Sequence, residues 1–237
     1  LWNDLKRKKI KFKNYITCDV DVPFDLNLSS FKHLILKLLN ILIKKREFKT
    51  FAKEILSYFA FKLGKNIKDD NYDSINWIMD INERYGNIVS FYFIPKRTSK
   101  LDGFYKFNSP KIRMLLNEIH KRGHKIGVHP GYGTFNNSIQ FGDSINEFKK
   151  VLNDENIVQS DLGGRQHYLR WDCLITADMY EKNGLKYDST LSYADKAGFR
   201  CGVCYDFYIY DFGIENVGII PLVNLTGRFT ASSIVNE

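Results

Sequence analysis

The sequence has few cysteines, and they fit no known scaffold. Cys18, Cys173, Cys201 and Cys204 are too few and too scattered for a small disulfide-stabilised domain. Cys201 and Cys204 have the spacing of a zinc knuckle, but no second pair with that spacing exists to complete a site. Free thiols are typical of a reducing compartment, so we expect a cytoplasmic protein.

The sequence also lacks a long apolar segment. No run reaches the roughly 18 residues that a membrane span requires, and the nearest, residues 33–43, is short and interrupted by Lys37 and Asn40. We therefore expect no transmembrane segment. No signal peptide is visible, but the chain begins with Leu1 and not with Met, so it can be a fragment of a longer protein.

The charge balance is basic, with a net charge of +8. Such a charge favours an anionic partner: nucleic acid, a membrane surface or an acidic glycan. Many of the lysines, however, lie in two stretches of helical pattern, 32–68 and 111–125, without a Gly/Arg tract or a nucleic-acid motif. A solvated helix face explains them, and we expect no nucleic-acid partner.

Apolar runs and helical patterns alternate along the chain, which is typical of βα units around a parallel sheet, either open or closed into a barrel. No internal repeat or linker is visible, which indicates one domain over residues 1–237. Strands are predicted at 13–21, 88–94, 124–129, 163–168, 185–191, 204–211 and 218–224. Helices are predicted at 71–85, 109–122, 144–152 and 172–183.

Residues 30–63 are interpreted as a helical insertion after the first strand. We expect their apolar stripe to pack on the core; covering a cleft, packing on a partner and touching a membrane are open alternatives. The stripe recurs at steps of three and four residues and consists of Phe31, Leu34, Ile35, Leu38, Leu39, Leu42, Phe48, Phe51, Ala52 and Ile55.

Residues able to bind a metal collect at the ends of the predicted strands. Alternate side chains of a strand share a face, so Asp19 and Asp21 project together. Two such carboxylates repel each other unless a cation lies between them or one holds a proton. The alternative is a solvated or capping pair. In a βα barrel, functional side chains lie at these strand ends, and His129, Arg165 and His167 follow two further strands.

Three segments resemble the ordered motifs of the polysaccharide deacetylase family, whose members include chitin and peptidoglycan deacetylases. They are Thr17-Cys-Asp-Val-Asp21, Gly123-His-Lys-Ile-Gly-Val-His-Pro130 and Gly164-Arg-Gln-His-Tyr168. The match is closest to a divergent bacterial branch associated with surface-polysaccharide gene sets, and it covers residues 13–225 without the insertion. The resemblance implies a distorted (β/α) barrel and a divalent metal, usually zinc.

The resemblance also implies residue roles. Asp19 would be the general base, Asp21 and His129 metal ligands, and Arg165 the partner that orients the base. The family's second motif has another histidine where this sequence has Gly133, and His167 can supply the missing imidazole. His124 is a weaker substitute, for which a buried structural role is the alternative. The late histidine that serves as general acid in the family has no counterpart after His167.

Aromatic residues flank the expected site and suit the apolar faces of sugar rings. Tyr132, Tyr168, Trp171 and Tyr193 are therefore candidates for substrate binding, with core or rim packing as the alternative. Asp188 is interpreted equally as a hydrogen-bonding residue of the site or as a cap at a strand end.

Three hypotheses follow. The first is metal-dependent hydrolysis of an N-acyl group on an amino sugar of a surface polysaccharide or its precursor. The second is a catalytically weakened relative that binds carbohydrate. The third is an anion- or nucleic-acid-binding protein.

Overall fold

The computed structural model describes residues 15–24, 31–45, 48–63, 69–195, 198–209 and 218–219. The chain divides into two compact units. The first comprises residues 1–20, 87–102 and 106–228, and the second comprises residues 21–86, 103–105 and 229–237. The predicted insertion belongs to the second unit. That the whole chain is one domain stays a prediction.

The first unit is built on a seven-stranded sheet. The first five strands lie side by side in chain order and are all parallel; β7 continues the parallel set beside β5, and β6 pairs antiparallel with β7. The predicted α/β class and parallel sheet are confirmed. Residues 13–14, 210–211 and 220–224 of the predicted strands lie outside the described residues. The strands are β1 Ile16–Val20, β2 Val89–Phe93, β3 Lys125–Val128, β4 Gly163–Gly164, β5 Tyr187–Asp188, β6 Phe207–Tyr208 and β7 Gly218–Ile219.

The helices follow the predicted pattern with shifted ends. None in the described residues has the length and apolarity to cross a membrane. One helix starts at Pro110 after Ser109, as predicted, whereas another starts at Ser138, six residues before its prediction, because the Asn137 side chain caps the Gln140 amide. The helices are α1 Phe31–Asn40, α2 Phe48–Lys62 and α3 Asp70–Arg84 in the second unit, and α4 Pro110–Lys121, α5 Ser138–Asp154 and α6 Thr176–Lys182 in the first.

The two faces of the sheet are filled differently. On one face aromatic rings connect the sheet to α5: Phe93 lies 6.2 Å from Phe107, which stacks 5.5 Å from Phe148. On the other face the ring of Tyr92 lies over Gly127, and the ring of Tyr187 lies over Gly163. A Cβ on either glycine would come within 2.4 Å of the ring, so neither position has room for a side chain. The sheet therefore carries large and small residues on adjacent strands.

The expected packing of residues 31–63 on the core is wrong for much of the stripe. Of the predicted residues, Leu34 is buried, whereas Phe31, Ile35, Leu39 and Phe48 are exposed. Periodicity indicates which side chains share a helix face, but it does not indicate whether another surface covers that face.

Gly164→Ala should destabilise the protein. A Cβ at this position would lie 2.4 Å from the carbonyl oxygen of Val128 on the adjacent strand, which cannot move without shifting the backbone. We expect a loss of about 1–3 kcal/mol in the free energy of unfolding, measured by urea denaturation. Gly142→Ala is the control: it lies within α5, where a Cβ meets nothing closer than 3.7 Å, so it should be neutral or stabilising. Equal effects of the two substitutions would contradict this account of the sheet.

Candidate metal centre

One cluster of three metal-binding side chains is found in the part of the chain that the structure describes. Ligand atoms of Asp21, His129 and His167 all lie within 4.8 Å of one another. Asp21 follows β1 directly, His129 follows β3, and His167 lies three residues beyond β4. The three residues predicted as ligands are therefore brought together, and two imidazoles with one carboxylate are a donor set that zinc accepts.

Hydrogen bonds hold the rings of both histidines. His129 Nδ1 lies 2.5 Å from the carbonyl oxygen of Arg165, and His167 Nδ1 lies 2.7 Å from Asp102 Oδ1. A carbonyl and a carboxylate can only accept, so each Nδ1 carries the proton. Each ring would then bind a cation through Nε2, which is the usual arrangement of histidine ligands with a hydrogen-bonded outer shell.

Asp102 is the main residue of the site that sequence analysis missed. It is buried in the loop after β2 and joins three loops of the site. Burial raises the pKa of this carboxyl, but the hydrogen-bond donors around it together lower the pKa by more. The pKa of Asp102 therefore lies well below its usual range. Its oxygens accept from the amides of Thr98, Ser99 and Tyr132, from the Thr98 hydroxyl and from His167.

Arg165 connects the proposed base to the sheet. Its guanidinium donates to Asp19 Oδ1 at 2.8 Å, to Thr17 Oγ1 at 2.7 Å and, through Nε, to the carbonyl oxygen of Ser189 at 3.1 Å. It also lies 5.0 Å from the centre of the Tyr92 ring. The expected pairing of Arg165 with Asp19 is present, and the catalytic role of both residues stays a prediction.

The register of the sheet separates the residues that face the site from those that do not. Asp19 is paired with Tyr92, and Tyr92 with Gly127, so all three share one face. Asp188 is paired with Gly164 in the adjacent row, whose side chains point to the opposite face.

The interpretation of Asp188 as a hydrogen-bonding residue of the site does not fit this geometry. The side chain is fully buried, and its two oxygens accept from the amide and the hydroxyl of Thr190. These are the contacts of a cap at a strand end, the alternative that the sequence also allowed. Burial raises the pKa of Asp188 to about 6 despite these hydrogen bonds.

Two of the four predicted aromatic residues lie beside the histidines. The Tyr168 ring is 4.7 Å from the His167 ring and 5.4 Å from the Tyr132 ring, in edge-to-face arrangements. Trp171 packs 6.4 Å from Tyr180 of α6, and Tyr193 is half-buried next to Gly198. The rings of Tyr132 and Tyr168 therefore lie next to the metal-binding cluster.

The structure distinguishes the two histidines that the sequence offered as the third ligand. His124 is buried and accepts from the amide of Val89, so the structural role is the one observed. The backbone of Gly133 is held by the Thr98 hydroxyl, and a Cβ there would meet Gln140 at 2.9 Å. His167 instead reaches the cluster from a turn in which Tyr168 and Leu169 have φ values of 61° and 53°.

Asp102→Asn should weaken metal binding without removing a ligand. The amide has a single acceptor oxygen, so it cannot keep all five hydrogen bonds and position His167. We expect zinc affinity to fall about 10–100-fold, measured by competition with a chromophoric chelator. Asp143→Asn is the matched control, because this exposed carboxylate only pairs with Lys96. Unchanged zinc affinity in Asp102→Asn would contradict the role of Asp102 in positioning His167.

Asp188 should make stability depend on pH. Because its pKa is about 6 in the folded protein and 3.8 for the ordinary residue, only the folded state holds the proton between these values. The free energy of unfolding should therefore fall as pH rises from about 4 to about 6, by about 3 kcal/mol in total.

The variant Asp188→Asn should lack this decrease, which is measured as the difference between urea denaturation of the two proteins at each pH. Asp178→Asn, which alters an exposed carboxylate paired with Lys182, should retain it. A difference between wild type and Asp188→Asn that is constant over this range would contradict the assignment.

Comparisons of the chain with protein-family models, with curated proteins and with solved structures gave no match. The resemblance to polysaccharide deacetylases therefore rests on the three sequence motifs.

Proposed function

We propose that this protein is a metal-dependent carbohydrate N-deacetylase acting on an amino sugar of a surface polysaccharide or its precursor. The observation that supports the proposal most directly is the clustering of Asp21, His129 and His167, with the Asp19–Arg165 pair at the ends of β1 and β4. All five residues lie in the three segments that carry the resemblance.

The residues fit a zinc ion. Asp21, His129 and His167 would hold it, and three protein ligands leave a position open, as in catalytic zinc sites. Bound zinc would supply Lewis acidity, which lowers the pKa of water and polarises an acyl oxygen. The side chain of Asp19 is about one-third exposed while that of Arg165 is buried, so Asp19 can reach a water molecule while Arg165 fixes its orientation.

A polysaccharide is the substrate that the surroundings favour. Tyr168 is exposed and stands edge-to-face with Tyr132 beside His167, so that aromatic surface is available next to the proposed reaction centre. Aromatic rings of this kind pack against the apolar faces of sugars.

We also propose that the sheet closes into the distorted barrel that the resemblance implies. β1 to β5 are parallel and lie in chain order, and both faces of such a sheet have to be covered. Closure of the sheet into a barrel would cover its inner face. A hydrogen bond of 3.4 Å from the Tyr15 hydroxyl to Asp206 supports closure, because these residues precede the two edge strands β1 and β6.

A catalytically weakened carbohydrate-binding protein is the second candidate. The observation that favours it is the absence of any histidine after His167, where the family's general acid would stand. Without a proton donor for the leaving amine, hydrolysis would be slow even with the metal in place.

Metal content and activity together test the proposal. We expect about one zinc ion per chain by elemental mass spectrometry, lost in Asp21→Ala, His129→Ala and His167→Ala. Asp19→Asn should retain zinc but release acetate from N-acetylglucosamine oligomers about 10²–10⁴-fold more slowly than wild type.

His120→Ala on α4 is the control histidine, and it should retain both metal and activity. Zinc retained in all three ligand variants would exclude the metal centre. If the protein has full zinc occupancy and binds the oligomers but releases no acetate, the deacetylase hypothesis is wrong and the carbohydrate-binding hypothesis takes its place.

A further inference from the structure

Two of the three helices of the second unit, α1 and α2, expose large apolar side chains to solvent. We call this surface the outward apolar face; its side chains are 40% to 78% exposed. On and just after α2 these residues follow steps of eight, three and four, so that they lie on one side of the helix. The outward apolar face consists of Phe31, Ile35, Leu36 and Leu39 of α1, Ile43 of the following π-helical turn, and Phe48, Leu56, Phe59 and Leu63 of and just after α2.

Polar contacts lie on the inner side of the same helix pair. Lys37 of α1 forms an ion pair of 2.8 Å with Glu54 of α2, and the two side chains are 33% and 21% exposed. Leu34 and Tyr58 are buried on this side. A helix pair in water normally places its apolar side chains inside and its charges outside. Here nine large apolar side chains are at least 40% exposed, and exposed apolar side chains in such number are typical of an interaction site.

The charge of this segment identifies the kind of partner. Residues 31–63 contain eight Lys and Arg residues and two Glu residues, a net charge of +6 within a chain whose net charge is +8. Lys32, Lys49 and Lys53 are exposed beside the outward apolar face. A helix with large apolar residues on one side and lysines along its border is typical of segments that lie in a membrane interface.

We propose that residues 31–63 bind the surface of an anionic lipid bilayer, with the outward apolar face in the headgroup region. The segment lies on the membrane and does not cross it, because α1 has 10 residues and α2 has 15, fewer than the roughly 20 of a span. A second copy of the chain is a poorer occupant, since it would bring two surfaces of net charge +6 together.

Vesicle binding tests this proposal with the full chain. The wild type should sediment with phosphatidylcholine vesicles containing about 30% phosphatidylglycerol and much less with pure phosphatidylcholine. Raising sodium chloride from about 0.1 M to about 0.5 M should weaken the binding. The double variant Leu56→Glu/Phe59→Glu should bind about tenfold more weakly or worse, because it places two charges in the apolar stripe.

Three controls test whether a change in vesicle binding comes from the outward apolar face. They address exposed apolar residues elsewhere, loss of folding and the metal centre. Ile139→Glu on α5 replaces a residue that is 79% exposed in the first unit and should bind vesicles like wild type. Circular dichroism establishes that the double variant is folded. Asp21→Ala should also bind like wild type, so this proposal and the proposed function can fail separately.

Two results would overturn the proposal. One is the absence of binding to anionic vesicles by the wild type, or equal binding by the double variant. The other is a lipid-free oligomer, seen by light scattering, that the double variant abolishes, because a second copy would then occupy the outward apolar face.

Discussion

The contact between Arg165 and Asp19 is the constraint on which the first unit depends. Arg165 follows β4 and Asp19 lies in β1, with two strands between them. In a flat sheet three strand spacings amount to about 14 Å, which the two side chains have to bridge together. The 2.8 Å ion pair therefore crosses the sheet over β2 and β3. Arg165 also holds His129 through its carbonyl oxygen, so the Asp19 carboxylate and the His129 ring are linked through one residue.

The face of the sheet that carries Asp19 combines tyrosines and glycines. Tyr92 and Tyr187 can fill the space over Gly127 and Gly163 only because those positions lack a Cβ. Arg165 then packs against Tyr92, and its guanidinium is fixed from several sides. A side chain held in this way loses little further freedom when substrate binds, which is a general requirement for a precise site.

The sequence predicted the parts of the site that follow simple periodic rules. Asp19, Asp21, His129, Arg165 and His167 lie at the carboxyl ends of parallel strands, and this rule was enough to group them. The same rule applied to β2 points to the loop that contains Asp102, but Asp102-Gly103 has the composition of an ordinary turn. Asp188 was ambiguous because its face depends on the register of a two-residue strand. The exposure of α1 and α2 depends on tertiary contacts, which periodicity does not contain.

The turn that carries His167 provides independent support for a functional role. Tyr168 and Leu169 both have positive φ, a conformation that costs non-glycine residues about 1–3 kcal/mol each. The turn is held by hydrogen bonds from the His167 amide to the carbonyl of Pro130 and from Arg200 to the carbonyl of Leu169. The result of this strained backbone is an imidazole placed 4.9 Å from that of His129, with its Nδ1 on Asp102. A role of His167 as a metal ligand, as proposed above, would account for the retention of this strained backbone.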